Sequence, residues 1–389
     1  MNDASHDDSQ QTIEELMDAA YDLDYGPTRI ALIEEAVRLA DLSGDPEMSF
    51  GARTSLIDSC TMGGRPDLAL VAFTWCLAEY DKQPEEFDSH DMLWKYKWIL
   101  ASLSEFPQLT RPQIDAAAQD MEERCRREGY TMHAVESMRW KLALDMGEHA
   151  EMTEAYQRMR KTRRDLLSDC KACIQNCTVE YYILLGKHEM ALQVADPILS
   201  GKLTCAEVPE LTYGKMLIPL MQVGELDAAM ALHLRGYKLV QKNPEFIHTV
   251  GEHLKFLGMT ANHTKALQLI ARHLPVAMTT PSLLNRLNFL NSCAFIMTAL
   301  EASGKASVKL RLPPNSPFAR ADGVYPVSEL KLELEQAARE LAEQFDRRNG
   351  NTYYQTRLKN IPDLLAEVTP YPVPVRKRKS PEDEDVKDE

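Results

Sequence analysis

The residues best suited to chemistry are three cysteines, Cys170, Cys173 and Cys177, spaced i, i+3 and i+7 along a predicted helix so that all share one face. Thiolates suit zinc, and Cys205 or His188 would add a fourth ligand, letting a metal clip neighbouring segments together. The same spacing is that of a core stripe, and cysteine is among the most buried residue types. Structural zinc commonly draws a C-x2-C pair from a turn rather than three ligands from one helix. The sequence therefore reads as a core stripe with no metal, and a metal- or thiol-based switch is the third functional reading.

The first helices of three units carry polar residues in rows. Asn176 and Glu180 lie one turn apart, His248, Glu252 and Lys255 form a spaced row, and Asn285, Asn288 and Asn291 step along an otherwise apolar helix. A carboxamide donates and accepts at once, which suits gripping the backbone of an extended peptide. A solvated face of an amphipathic helix gives the same pattern. Lys305, Lys309, Arg311 and Arg320 make a basic stretch without an intervening acid. It reads either as an anion contact or as a loop folded back over acidic repeats. No G-x-x-x-x-G-K-[ST], H-E-x-x-H or G-x-S-x-G motif occurs, so no enzyme class is indicated and no cofactor is expected.

These residues are positioned by a helix pair that repeats about every 40 residues, the mark of a solenoid. The turns read Gly64-Arg65-Pro66-Asp67, Gly147-Glu148-His149-Ala150, Gly186-Lys187-His188-Glu189 and Gly224-Glu225-Leu226-Asp227, and a further turn at Thr260-Ala261-Asn262-His263 lacks the glycine. One helical hairpin cannot bury its apolar face alone, so neighbours must stack. The expectation is an all-α solenoid of about eight antiparallel helix pairs over 12–303, with capping boxes at Thr12/Glu15 and Thr110/Gln113. Residues 1–11 read as a disordered acidic end. An extended basic and proline-rich loop follows the repeats over 304–326, opening with the alternating run Ser307–Leu312. Capping helices occupy 327–369, the long one spanning about Val327–Arg348 and stopping at Asn349-Gly350, and 370–389 reads as a disordered charged tail.

The G-x-x-x-x-A-(L/M) turns opening each second helix resemble the tetratricopeptide repeat over about 12–300, with units longer than the 34 residues typical of that family. Asp169–Cys177, Leu199–Pro209 and Phe345–Asn351 are similar to runs in uncharacterised bacterial tetratricopeptide-like proteins. The resemblance implies a groove lined by the first helices that binds peptides, which gives the three polar rows a role.

A net charge of −15 argues against general nucleic-acid binding, which needs a cationic face. No apolar run reaches the length of a membrane span, residues 1–11 lack the basic start of a secretory signal, and eight cysteines spread through helices suit a reducing, cytoplasmic compartment. The functional expectation is a non-catalytic scaffold binding a protein or peptide in its groove. The alternative is a regulatory sensor for a small ligand or signalling peptide. Neither reading fixes an oligomeric state.

Overall fold

The structure, a computed structural model, describes the backbone of residues 2–374 and the side chains of 11–374. It is an all-α solenoid. Seven helix pairs follow one another: α1 (Asn2–Tyr21) with α2 (Pro27–Ser43), α3 (Pro46–Met62) with α4 (Pro66–Lys82), α5 (Ser89–Ser102) with α6 (Arg111–Arg127), α7 (His133–Asp145) with α8 (His149–Lys161), α9 (Lys171–Leu184) with α10 (His188–Leu199), α11 (Glu210–Gln222) with α12 (Leu226–Val240), and α13 (Ile247–Met259) with α14 (His263–Thr279). The eighth pair is α15 (Leu283–Ala302) with α16 (Val327–Asn349), which pack along one another. The long helix expected as a cap is thus also the second member of the last unit. The insertion inside that unit carries a two-stranded antiparallel ribbon, β1 (Ser307–Lys309) and β2 (Val324–Pro326), with Val308 opposite Tyr325. No helix among the described residues is long and apolar enough to cross a membrane.

Local chemistry explains the boundaries. Thr110 and Gln113 form the expected capping box at the start of α6. Gly350 ends α16 in the left-handed region, at φ 71°. Turn glycines 64, 147, 186 and 224 are likewise left-handed. In each turn the next residue's N–H bonds back to the preceding helix, as Glu148 does to Ala143 at 2.8 Å. Ala261 takes the same place at φ 55°, the one non-glycine residue with positive φ among the described residues. That conformation crowds its Cβ against the backbone.

Two sequence-based expectations about the ends are corrected. Helix α1 begins at Asn2, so Thr12 lies inside it and residues 2–11 are helical rather than disordered. Residues 370–373 are docked, not loose. Tyr371 donates its N–H to the Thr260 carbonyl at 3.1 Å, Val373 donates to Asn262 Oδ1 at 2.9 Å, and the Tyr371 hydroxyl reaches Asp227. The basic cluster Arg376–Lys379 and the acidic end lie outside the described residues.

The superhelix closes on itself at two joints. At the first, Asn243 donates to the Met62 carbonyl at 2.9 Å, and the Gly64 turn lies against the backbone of Pro244 and Glu245. At the second, the end of α16 and the short helix α17 (Tyr353–Lys359) dock on the third and fourth units. Arg348 donates to the carbonyls of Ser104 (3.0 Å) and Phe106 (3.3 Å), Asn351 donates to that of Met146 (2.7 Å), and the Tyr354 hydroxyl reaches that of Asp145. Asp346 is buried and accepts from the N–H groups of Tyr354 and Gln355 at 2.9 and 3.0 Å, which fixes how α17 leaves α16. The run Phe345–Asn351 is therefore the hinge pin of this joint.

Candidate functional site: an inner ring of carboxylates

Closure brings the first helices of successive units around one interior. Glu105 follows α5, Lys141 and Asp145 stand on α7, Glu180 on α9, Glu207 in the loop before α11, Lys215 on α11, Glu245 just before α13 and His248 on it. Their charges act on one another. Lys141 feels Asp145, Glu207, Glu105 and Glu245, while Glu245 feels Glu105, Glu207 and Lys141. Lys215 is paired with Glu180. Lys141 keeps contact with water and Glu105, Glu207, Glu245 and His248 are half-buried, so the ring is a wet interior in which surrounding protein displaces only part of the solvent.

Five carboxylates thus face two lysines, one of which is already paired. The titration of the ring follows burial first and that imbalance second. Burial pushes Glu105 up to about 7, with Ser282 and Lys141 opposing and Asp145 adding to the shift. Burial also raises Asp145, which keeps a 2.7 Å bond from Ser104. Glu207 is raised by burial against the pull of Lys141. Glu245 is raised well above the carboxylate range by burial and then by Glu105 and Glu207. Burial pulls Lys141 down, but its acidic neighbours more than offset this and its net shift is upward. His248 is lowered to about 3 by burial, then by Lys215 and Lys141, so it is neutral at pH 7. The part of these shifts that comes from neighbouring carboxylates, as Glu105 and Glu207 act on Glu245, is repulsion that a positive group placed among them would relieve.

The residues singled out from sequence divide. Glu180 and His248 are in the ring. Asn176 is buried and accepts from the Thr212 hydroxyl at 2.7 Å, joining α9 to α11 as a packing contact. Glu252 and Lys255 are half-buried on α13, with Glu252 close to Gly214 of α11. Asn288 is half-buried and accepts from Arg357 of α17 at 3.2 Å, so one of its groups already has a partner within the chain. Asn285 is half-buried near the start of α15, and the Asn291 amide oxygen is buried without a partner. The basic stretch does not act as one patch. Arg320 pairs with Glu329 and Glu333 of α16 at 3.0 and 2.8 Å, Lys309 ends β1, and Lys305 and Arg311 are exposed on either side of that strand. The loop does fold back by complementary charge, through Arg320 onto α16 of the last unit.

The cysteines do not form one core stripe, although Cys173 and Cys177 each pack against a different apolar cluster. Cys170 is the exposed N-cap of α9, and Cys173 and Cys177 are only half-buried. Cys177 turns toward the cluster around Trp140 and Tyr156, where burial pushes its thiol up to about 12. Cys173 faces Cys205, sulfur to sulfur 3.4 Å. The bond with Cys173 draws the Cys205 thiol down to about 6, with burial opposing and the N–H groups of Glu207 and Val208 assisting; the same bond, with burial, raises Cys173.

Sequence reasoning missed Glu105, Lys141, Asp145, Glu207, Lys215 and Glu245. One signal was available: Lys141, Glu180, Lys215 and Glu252 put a charge on successive first helices about one unit apart. The cleft between α6 and α7–α8 is lined mostly by charges paired with one another, Arg111 with Glu148 and Arg126 and Arg139 with Glu122. No protein-family model matches this sequence, and no curated protein matches it.

Proposed function

We propose that this chain is a non-catalytic binding protein whose inner acidic ring receives a cationic group from a protein or peptide partner. The observation that carries the reading is the excess of carboxylates around Lys141, together with the upward shifts of Glu105, Glu207 and Glu245. The resemblance to tetratricopeptide repeats supports a protein or peptide as the source of that cation, since the ring lies on and beside the ends of the first helices. A second reading, a regulatory sensor for a small cationic ligand or a peptide end, is favoured by the two joints, which tie distant units together around the ring.

The test is affinity capture and crosslinking with the full chain and with its Glu207→Gln/Glu245→Gln variant. The reading expects a protein captured by the wild type, crosslinked to the ring through a Lys- or Arg-bearing segment, and lost from the variant. Capture that survives in the variant, or crosslinks confined to the outer second helices, overturns it.

A further inference from the structure

The three sulfurs of Cys170, Cys173 and Cys205 lie within 4.8 Å of one another, and the Cys173–Cys205 pair is at 3.4 Å. Four zinc–sulfur bonds of about 2.3 Å in a tetrahedron place sulfurs about 3.8 Å apart, so small rotations would bring all three to one ion. We propose that Cys170, Cys173 and Cys205 form a zinc site that fastens the start of α9 to the loop between α10 and α11, with the fourth position left to water.

The local backbone is built for thiolate ligands. Cys170 and Cys173 are a C-x2-C pair at a helix start, Cys170 being the N-cap, and the Cys173 N–H points at the Cys170 sulfur at 3.4 Å. The third ligand comes from a loop that folds on itself, the Cys205 N–H donating to the Val208 carbonyl at 2.8 Å. N–H groups aimed at sulfur orient metal-bound thiolates and offset their charge. The ligands come from two separate segments, so a metal here would join the fifth unit to the sixth across their connection. On binding, each thiol that becomes a ligand gives its proton to the buffer.

Chemistry selects the metal class. Three thiolates with no carboxylate or imidazole in the group favour a soft or borderline ion over calcium or magnesium, and zinc accepts three protein ligands and a water. His188 opens α10, at the opposite end of α9 from Cys170, and is outside the group. Cys177 is outside it as well. The site stands independently of the acidic ring, although Glu207 of the ring sits two residues after Cys205.

The test uses the full chain, purified reduced, stripped with a chelator and titrated with zinc or cobalt(II). The proposal expects about one zinc per chain and, with cobalt, a sulfur-to-metal charge-transfer band with the intense visible bands of a tetrahedral site. Cys173→Ser and Cys205→Ser should each weaken metal binding by about tenfold or more, and Cys177→Ser should leave it unchanged. Should a serine variant fail to fold, the wild-type cobalt spectrum alone decides. Overturning results are no metal retained above a buffer control, a cobalt spectrum without the sulfur band, equal dependence on Cys177, or recovery of Cys173 and Cys205 as a disulfide in a chain that takes up no metal.

Discussion

At the scale of single residues, the ring is built at a cost to stability. A carboxyl whose pKa is raised on folding is bound more tightly to its proton in the native state. For Glu105 the folded value is about 7. Its favourable contribution is complete below the ordinary carboxylate pKa and is lost as pH rises through about 7. The neutral histidines work in the other direction, because His233 and His248, held down at about 4 and about 3, penalise acid conditions. A bare pH profile mixes the two, but a difference between variants separates them. Glu105→Gln should match the wild type near pH 4.5 and melt about 1–2 °C higher at pH 8, the gap opening between those limits. Thermal melts at several pH values check this, and a constant gap across the range would remove Glu105 from the ring's titration. Groups that function retains despite such a cost are expected at binding sites.

At the scale of elements, most of the architecture was legible in the sequence. Turn glycines, capping residues and the 40-residue recurrence are local signals, and each was written within a few residues of the element it controls. Thr110/Gln113 and Gly350 did what their chemistry predicts. Thr12 did not, because a capping box competes with continued helix, and here the helix continues through it. The short segment 370–373 was misread because its partners, Asn262 and Asp227, lie far away in sequence. Asn262→Ala should therefore destabilise by about 1–2 kcal/mol, since it strips the partner of the Val373 N–H and a donor to the Tyr371 carbonyl. Urea unfolding measures it, and no change would mean that the segment is not docked in solution. Ala261→Gly should act in the opposite sense. Glycine removes the left-handed penalty at φ 55°, and after the greater freedom of the unfolded chain is deducted a gain of about 0.5–1 kcal/mol remains. A loss of stability on the same measurement would show that the Ala261 methyl contributes packing the turn needs.

At the scale of the whole molecule, the site exists only because the superhelix closes. Glu105, Lys141, Glu207 and Glu245 sit on surfaces that any single helix pair would expose, and in the sequence they look like ordinary solvation. Their shared environment comes from the joints at Asn243–Met62 and at Arg348–Ser104, contacts between residues too distant for periodicity to reveal. Closure also brings Arg357 to Asn288, a contact between residues 69 positions apart that the asparagine row alone does not announce. Gly64→Ala tests the first joint. The residue is left-handed at φ 76°, and an added Cβ would lie 2.8 Å from the Glu245 nitrogen. The substitution should cost about 1–3 kcal/mol and expand the molecule in small-angle scattering. An unchanged radius with unchanged stability would place the joint outside the solution structure.

The most direct measurement of the central claim is proton release on binding. A cation entering the ring lowers the pKa of the carboxyls around it, so protons held by Glu105 and its neighbours must leave. Calorimetric titration of the captured partner's basic segment into the full chain at pH 7, in two buffers of different ionisation enthalpy, reads that number. The account predicts net release, about half a proton from Glu105 alone, reduced in Glu105→Gln, with affinity falling as salt is raised. Binding with no proton release, or with proton uptake, at an affinity indifferent to salt and to Glu207→Gln, would contradict it.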